Sequence, residues 1–569
     1  SSEIVKAIGN VGGGTGGGGS VTLRDDLSAT GTDKGASLVG FQQEGTGAVP
    51  RTMLDKARDQ PLNVIDFPSL QSAIDEAVVS GRVLEGNPGE TYVVTEPLTA
   101  NGALRFDLRG AVIDGSAVPA GTTFNERPVL KVSGSIGAGV LLTSDVAPVG
   151  GMQNITIAST AGLAAGDYLL LSSNQLMVDG YGNAGSLRGE IIRVNAVINA
   201  TTIQSASGVL FPYTTAAAAK VQKITNADRV QISNGKIICG GVGSWHTGLQ
   251  LNYCTDFKVE NLSTVGGEDV GIATFYCAGG LIHGGTQENC TNPDGGLPND
   301  SGSGYGICLY YASRDIVIDG VKFRNCKRAV TGGARYPAVF NTIRNCVVEG
   351  GRNGLGTHEP CWWWTIEDNV ISGMTGVGIN VRGQFNKIHR NKIFNTGGFG
   401  IQVRTFYVNP LGLRGVEILD NYLERTAGIL LDGDATDGRV IDATIRGGEI
   451  RNATFNNIAA RRSDNVIIDG VRITGQVVPG ATDGNGIVFS GSATSGDNCT
   501  NVLINGVEIK DAARFGILAL RVQKLQILNS KVHLAQREAF RADTCEDSII
   551  AGNRVKGAVV DFTYNIRAT

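Results

Sequence analysis

Between residues 314 and 434 short runs of β-branched apolar residues alternate with Asn and Gly, and the runs repeat. Each unit opens on Ile or Val, places Asn or Gly two or three residues later, and then supplies a glycine-led strand. The openings are 317–320, 343–345, 366–369, 388–391 and 418–421. From Gly320 through Asn345, Asn369, Asn391 and Asn421 the steps are 25, 24, 22 and 30 residues. A period in the twenties, rich in Ile and Val and punctuated by turn formers, predicts a solenoid of strands. It is too long for a heptad, and it suits one coil of a parallel β-helix.

The second strands of the coils predict where chemistry can sit. Aligned on their glycine starts, they run from GLQLNY (248–253) through GICLYY (306–311), GLGTHE (354–359), GINVRG (378–383) and GIQVRT (400–405) to GILALR (516–521). Side chains alternate along a strand, so the Ile and the residue two later point inward. The next residue points out. That column reads Asn252, Phe275, Tyr310, Gly333, His358, Arg382, Arg404, Asp432, Arg461, Ser490, Leu520. Stacked strands lie ~4.8 Å apart, which sets His358, Arg382 and Arg404 on successive rungs of one outward row. The Asn steps at 345, 369, 391 and 421 predict a structural turn ladder in left-handed corners.

Composition narrows the reading. The chain has 569 residues, more than one ordinary core, but a solenoid grows lengthwise and escapes that limit. Its 81 glycines follow no collagen period and mark turns instead. A net charge of −4 gives no electrostatic case for nucleic acid. No run of 18 apolar residues argues for membrane insertion, and no signal-type start is visible. Ten cysteines lie at 239, 254, 277, 290, 308, 326, 346, 361, 499 and 545 without a Cys-x-x-Cys pair. Buried reduced thiols in a chain folded in a cytosol are the expectation.

Four segments follow. Residues 1–60 form a Gly-rich neck, with the 12–19 run broken only by Thr15, that cannot bury a core by itself. Residues 61–123 hold a short helix capped by Ser69, with Leu70, Ile74 and Ala77 at helical spacing, and the first coils. Residues 124–226 break the rhythm and predict an inserted small β-domain, on one face of the solenoid. Residues 227–569 are the main β-helix, widened by loops at 284–304, 432–440 and 476–485. A chain that stops soon after its last coil leaves a strand edge open, so a further capping segment is expected beyond it.

The opening segment is similar to the neck and first coils of bacteriophage tailspikes and tail-fibre depolymerases. The similarity rests on Val64-Ile65-Asp66-Phe67, Ser72-Ala73-Ile74-Asp75-Glu76-Ala77 and Pro88-Gly89-Glu90-Thr91-Tyr92. Pro68 departs from the family's pattern, where Gly commonly follows the Phe. The resemblance implies an all-β fold, a pectate-lyase-like right-handed parallel β-helix with an N-terminal capping helix, and a homotrimer. It also implies a virion protein joined to the tail through its N-terminal region, folded in the host cytoplasm, and acting on bacterial capsule or lipopolysaccharide O-antigen. It names no catalytic residue and no cofactor.

Three chemistries fit a groove on such a scaffold. β-Elimination of a uronate glycan needs a cation on the carboxylate, a base and a proton donor for the leaving oxygen. Arg382 and Arg404 can grip a carboxylate, His358 titrates in the right range, and Tyr310 can donate. Hydrolysis needs two carboxylates ~5 Å or ~6.5–9.5 Å apart. Glu359 and Asp432 are three rungs, ~14 Å, apart and do not meet that condition together. Glu268 with Asp269, or Asp294 and Asp300 swinging over Glu359, could. Binding without cleavage would use Tyr276, Tyr311, Arg461 and Trp363. In the only tryptophan cluster, alternation turns Trp362 and Trp364 into the core and Trp363 outward. Asp432-x-Asp434-x-x-Asp437 lacks a full calcium ligand series, so no metal and no cofactor is assigned. A polysaccharide lyase is the preferred expectation, ahead of a glycoside hydrolase, a non-enzymatic adhesin and, last, a sugar epimerase.

Overall fold

The computed structural model describes residues 40–41, 51–52, 59–121, 127–178, 185–241, 243–291, 304–358, 360–405, 412–434, 438–476, 484–490, 498–558 and 560–567. Outside them lie nearly all of the Gly-rich neck, Asp294 and Asp300 in the 284–304 loop, Glu359, and Asp437.

The described chain winds into a parallel β-helix whose 47 strands belong to one continuous sheet. Each coil of the body contributes three strands. In one coil these are Thr365–Glu367, Val370–Ser372 and Ile379–Val381; in the next they are Lys387–His389, Lys392–Phe394 and Ile401–Arg404. They pair in register, Ile366 with Ile388, Ile371 with Ile393 and Ile379 with Ile401. The repeated Ile therefore stack inside, all 0 % exposed. Burying each contributes about 1.5–3 kcal/mol, and β-branched residues pack well on a pleated surface. All ten cysteines are free and buried, nine of them in this core and Cys308 on the outer face with Phe275.

The first two strands of a coil meet at a left-handed corner, held in turn by Asn345, Asp368, Arg390 and Asp420 with φ of 54°, 57°, 53° and 54°. Immediately after it runs a buried ladder of Asn369, Asn391 and Asn421. The Asn391 amide oxygen accepts the Asn369 side-chain N–H at 2.9 Å, and the Asn421 oxygen accepts that of Asn391 at 3.0 Å. Asn345 is not part of this ladder, although its spacing had predicted that it would be. It sits one residue earlier, in the corner, donating to Asp319 at 2.8 Å. Cys346 takes the ladder position in that coil, its N–H donating to the Asn369 oxygen. The ladder residues follow the left-handed position rather than occupying it.

One helix, α1 (Leu70–Ser80), lies against the first coils. Ser69 closes a capping box with Ser72, and Gly81 ends the helix at φ 66°. It buries Leu70, Ala73, Ile74 and Ala77. Gln71 donates to the Thr99 carbonyl and accepts its N–H, so the helix pairs with the backbone of the Leu98–Ala100 strand.

Between the strands Arg127–Ser133 and Ala227–Asp228 a six-stranded antiparallel sheet intervenes, spanning Ser135–Leu141 to Lys220–Thr225. Its exit is tight: a Cβ on Gly134 would lie 2.2 Å from the Thr225 carbonyl oxygen. One side of this sheet, through Leu170, Ile191 and Ile224, packs on Ala278, Ala312 and Tyr336 of the solenoid. Another cluster, with Phe211 and Tyr213, is covered by Val339, Trp362 and Trp363.

Strand alternation misplaces one tryptophan. Trp364 is in the solenoid core at 0 % exposure, but Trp362 leaves it and meets Phe211 edge-on at 5.1 Å. The cause is Trp363, whose φ of 57° breaks the strand between the two. Trp363 itself stacks between Phe340 at 5.0 Å and Phe385 at 5.5 Å.

Candidate functional site

The outward column is a physical row. Tyr310 pairs in register with Phe275 and with Gly333, and Arg404 with Asp432, Arg461 and Ser490 beyond it. His358 joins the two halves: its N–H donates to the Gly332 carbonyl at 3.0 Å, while the Arg382 N–H donates to the Thr357 hydroxyl at 2.8 Å. Small residues make the row readable. Gly333 leaves one vacant place between Tyr310 and His358, two rungs or ~10 Å apart.

The half-buried His358 is held between two guanidiniums. Arg328 Nη1 lies 2.5 Å from Nε2, and Arg382 Nη1 lies 3.2 Å from Nδ1. Burial first, then the charges of Arg328 and Arg382, push the His358 pKa well below the usual histidine value. The imidazole is therefore neutral at pH 7, the form of a base. Arg382 is 7 % exposed, so its charge acts from a largely dry position.

Tyr310 stacks on Phe275 at 4.9 Å and 19°. Burial, with the neighbouring Cys308 and Asp269, raises its phenol well above the usual range, which keeps the hydroxyl proton available for donation. Asp269 itself is 0 % exposed and accepts the Thr247 hydroxyl at 3.2 Å. Glu268 is buried beside it and accepts the Trp245 N–H at 2.7 Å. These two acids belong to the coil before Tyr310, and Asp269 reaches the site through its charge.

Farther along the row the charges alternate. Arg404 Nε lies 3.6 Å from Asp432 Oδ2, and Arg461 stands on the next rung, exposed. Burial raises the Asp432 pKa against the lowering by Arg404 and Arg461, and Asp434 adds to the rise. Among the described residues no group of three His, Cys, Asp or Glu is placed to hold a metal ion.

The aromatic residues turn elsewhere. Tyr253, Tyr276 and Tyr311 have φ of 55°, 54° and 43° and stack at 5.1 and 5.5 Å on the corner next to the row. That stack lies against the inserted sheet. Tyr276, Tyr311 and Trp363 are thus partly covered by the insert, apart from the His358 cluster.

Arg328 is the residue that column alignment misses. It lies within the strand Lys322–Gly333 in register with Tyr305, five residues before Gly333, and its guanidinium passes 5.9 Å over the Tyr305 ring. Only the length of its side chain carries it across the face to His358. Reading a second outward column, Cys308 and Thr331, locates the floor it crosses.

Residues 298–430 match the family model described as "Periplasmic copper-binding protein (NosD)". The match covers less than a quarter of the chain and falls on the repeat. The buried Cys326, Cys346 and Cys361 in that segment sit one to a place in the core, Cys308 lies on the outer face, and among the described residues they form no group placed to hold a metal. No curated protein sequence matches the chain. Solved structures do. The tailspike gp61 of Pseudomonas phage phi297 aligns with a TM-score of 0.57 at 13% identity, over 87% of this chain and 78% of that one. The tailspike gp49 of Pseudomonas phage LKA1 aligns with 0.54 at 17%, over 86% and 75%. The Gp54 tailspike of Acinetobacter baumannii bacteriophage AP22, solved with A. baumannii capsular saccharide, aligns with 0.54 at 13%, over 91% and 79%. The chain has the parallel β-helix fold of these tailspikes.

Proposed function

We propose that the protein is a tailspike-type depolymerase that cleaves a uronate-containing bacterial surface polysaccharide by β-elimination. The observation that carries this reading is the neutral His358, clamped by Arg328 and Arg382 and facing Tyr310 across the gap at Gly333. A sugar ring seated over Gly333 would lie between base and acid. A ring nitrogen of His358 takes the proton at C5, beside the carboxylate. The electron pair forms the C4–C5 double bond, the C4–O bond breaks, and the leaving oxygen takes the Tyr310 proton. A guanidinium on the carboxylate stabilises the charge that develops on it. The likeness of fold to a tailspike solved with capsular saccharide supports the substrate class. The homotrimer, attachment to a phage tail through the N-terminal region, action at the bacterial surface and folding in the host cytoplasm belong to the same reading; ten buried reduced thiols support the last.

A second reading is hydrolysis at Asp432. Its raised pKa suits a general acid, and Asp434 is near enough for its charge to add to that rise. Digestion of acidic capsule and O-antigen preparations decides between the two. Elimination yields fragments with the ultraviolet absorbance of an unsaturated uronate. Fragments heavier by one water without that chromophore would instead assign the reaction to Asp432, and intact polymer that stays bound would make the chain an adhesin.

A further inference from the structure

The first-strand face of the early coils holds a cavity that the row does not touch. Segments 231–233, 258–260 and 281–283 follow the strand Arg105–Asp107 in register, and the same register leads on to Thr365–Glu367 of the body. On this face one outward column reads Asp107, Ser233, Glu260, His283. Ser233 is its small member, and Asp107 and Glu260 stand on either side of it, two rungs or ~10 Å apart. There the surface sinks into a cavity of about 360 Å³, inside the ~300–1,000 Å³ range of small-molecule sites. Two features of its lining serve no purpose in the coil. Ser233 is 4 % exposed, yet among the described residues its hydroxyl has no hydrogen-bond partner, and the Glu260 carboxylate has neither a hydrogen bond nor an ion pair. Beside them the corner amides form a one-way ladder. Asn234 Nδ2 donates to Asp107 Oδ1 at 3.1 Å, and Asn261 Nδ2 donates to Asn234 Oδ1 at 3.2 Å. The next corner residue is Gly284 at φ 65°, where a Cβ would lie 2.5 Å from Asn261 Oδ1. No side chain follows to donate, so the ladder ends in an acceptor that lines the cavity.

We propose that this cavity is a second carbohydrate site, on a different face from the row, that takes a neutral sugar ring through its hydroxyls. Asp107 Oδ2 and the Glu260 carboxylate accept from hydroxyls at opposite edges of the ring, and the Ser233 hydroxyl meets the ring between them. Hydrogen bonds to ionised acceptors are the stronger kind. A hydroxyl both donates and accepts, which fits a lining with a carboxylate on two sides and a hydroxyl between. A single ammonium group reaches only one of these points, and a uronate would bring a third carboxylate beside two. The one aromatic residue of the lining, Phe106, is 0 % exposed, so polar contacts and not ring stacking do the recognition. The proposal goes beyond the reading above and does not depend on what the row does to a polymer.

His283, one rung past Glu260, is the local reporter. The test is a titration of the full chain followed by the ring carbon resonances of selectively ¹³C-labelled histidine, of which the chain has five, with the His283 signal assigned by its loss in His283→Gln. Glucose, galactose, mannose, rhamnose and N-acetylglucosamine are added in turn, with sodium glucuronate and calcium chloride as controls. At least one neutral sugar is expected to move the His283 signal saturably while both controls leave it in place. Glu260→Ala is expected to weaken that binding at least tenfold and Glu260→Gln severalfold, since the amide keeps a hydrogen bond but loses the charge. Ser233→Leu, which fills the floor, is expected to abolish it, and His358→Asn to leave it unchanged. If no sugar moves the signal, if Glu260→Ala binds as the unsubstituted protein does, or if glucuronate binds as well as the best neutral sugar, the site is refuted. A saturable shift with calcium chloride alone refutes it as well, because the lining would then be a cation site. Sugar binding at His283 without turnover of any polysaccharide would overturn the depolymerase reading and leave this site standing.

Discussion

The outward row divides near Arg404 into two stretches built on the same rungs and ordered by different contacts. From Arg404 to Arg461 the signs alternate, Arg404 ion-paired with Asp432 at 3.6 Å and Arg461 stacked beyond it. From Tyr310 to Arg382 two arginines flank one imidazole. A row that balances its charges is stable alone. The fold is indifferent to the difference, because buried aliphatic residues stack inward under both stretches, Val330 and Leu355 in one and Ile401 and Ile429 in the other.

The largest expected effect falls on the stretch that holds His358. His358→Asn should lower turnover of the polysaccharide about 10²–10⁴-fold, the usual contribution of a general base, with little change in the melting temperature at pH 7.5. Initial rates followed by the absorbance of the unsaturated product check it. An equal loss with Arg404→Gln would erase the distinction between the two stretches.

Protonation offers a second contrast, with opposite signs in two regions. Burial raises the Glu190 carboxyl in the inserted sheet to about 7, although the Leu210 and Phe211 N–H groups, the Tyr213 hydroxyl and the Arg314 charge act to lower it. Folded Glu190 therefore holds a proton that the unfolded chain releases above pH 4.5. Its contribution is present in acid and lost as pH rises toward 7, by on the order of 3 kcal/mol. His358 works the other way. Its pKa is depressed on folding, so its site loses stability as pH falls below 6.5, where the unfolded ring takes up a proton. Denaturant unfolding from pH 4 to 8 should show a downward slope with rising pH that Glu190→Gln abolishes, and an acid-side loss that His358→Asn reduces.

A smaller shift separates the two stretches kinetically. The acid limb of kcat/KM should lie below pH 6.5, because His358 stays neutral well into acid. Arg328→Gln removes one of the charges that depress it and should move the limb upward. Arg404→Gln should leave the limb where it is. The smallest effect belongs to the balanced stretch. Arg404 is 40% exposed, so Arg404→Gln should cost about 0.5 kcal/mol of stability, less at high salt.

These contrasts mark how much was legible in advance. The period, the inward Ile and the outward column follow from spacing and alternation, and the register pairs Tyr310 with Gly333 and Arg404 with Asp432 as that alternation implies. Alternation failed where a residue took positive φ. Trp363 at 57° turned Trp362 onto the inserted sheet, and the corner at Asn345 put that residue one place ahead of the asparagine ladder.

The coil, its core and the row of polar side chains are consequences of local pattern, because a parallel strand stacked in register repeats whatever its sequence repeats. What surrounds each member of the row was decided only by tertiary structure. Arg328 stands 30 residues from His358 along the chain and reaches it by crossing from another position on the preceding coil. The inserted sheet covers the tyrosine stack from a segment far away in sequence. Charge and desolvation add through space, so the acid–base character of His358, Asp432 and Glu190 arises from neighbours that no spacing along the chain brings together.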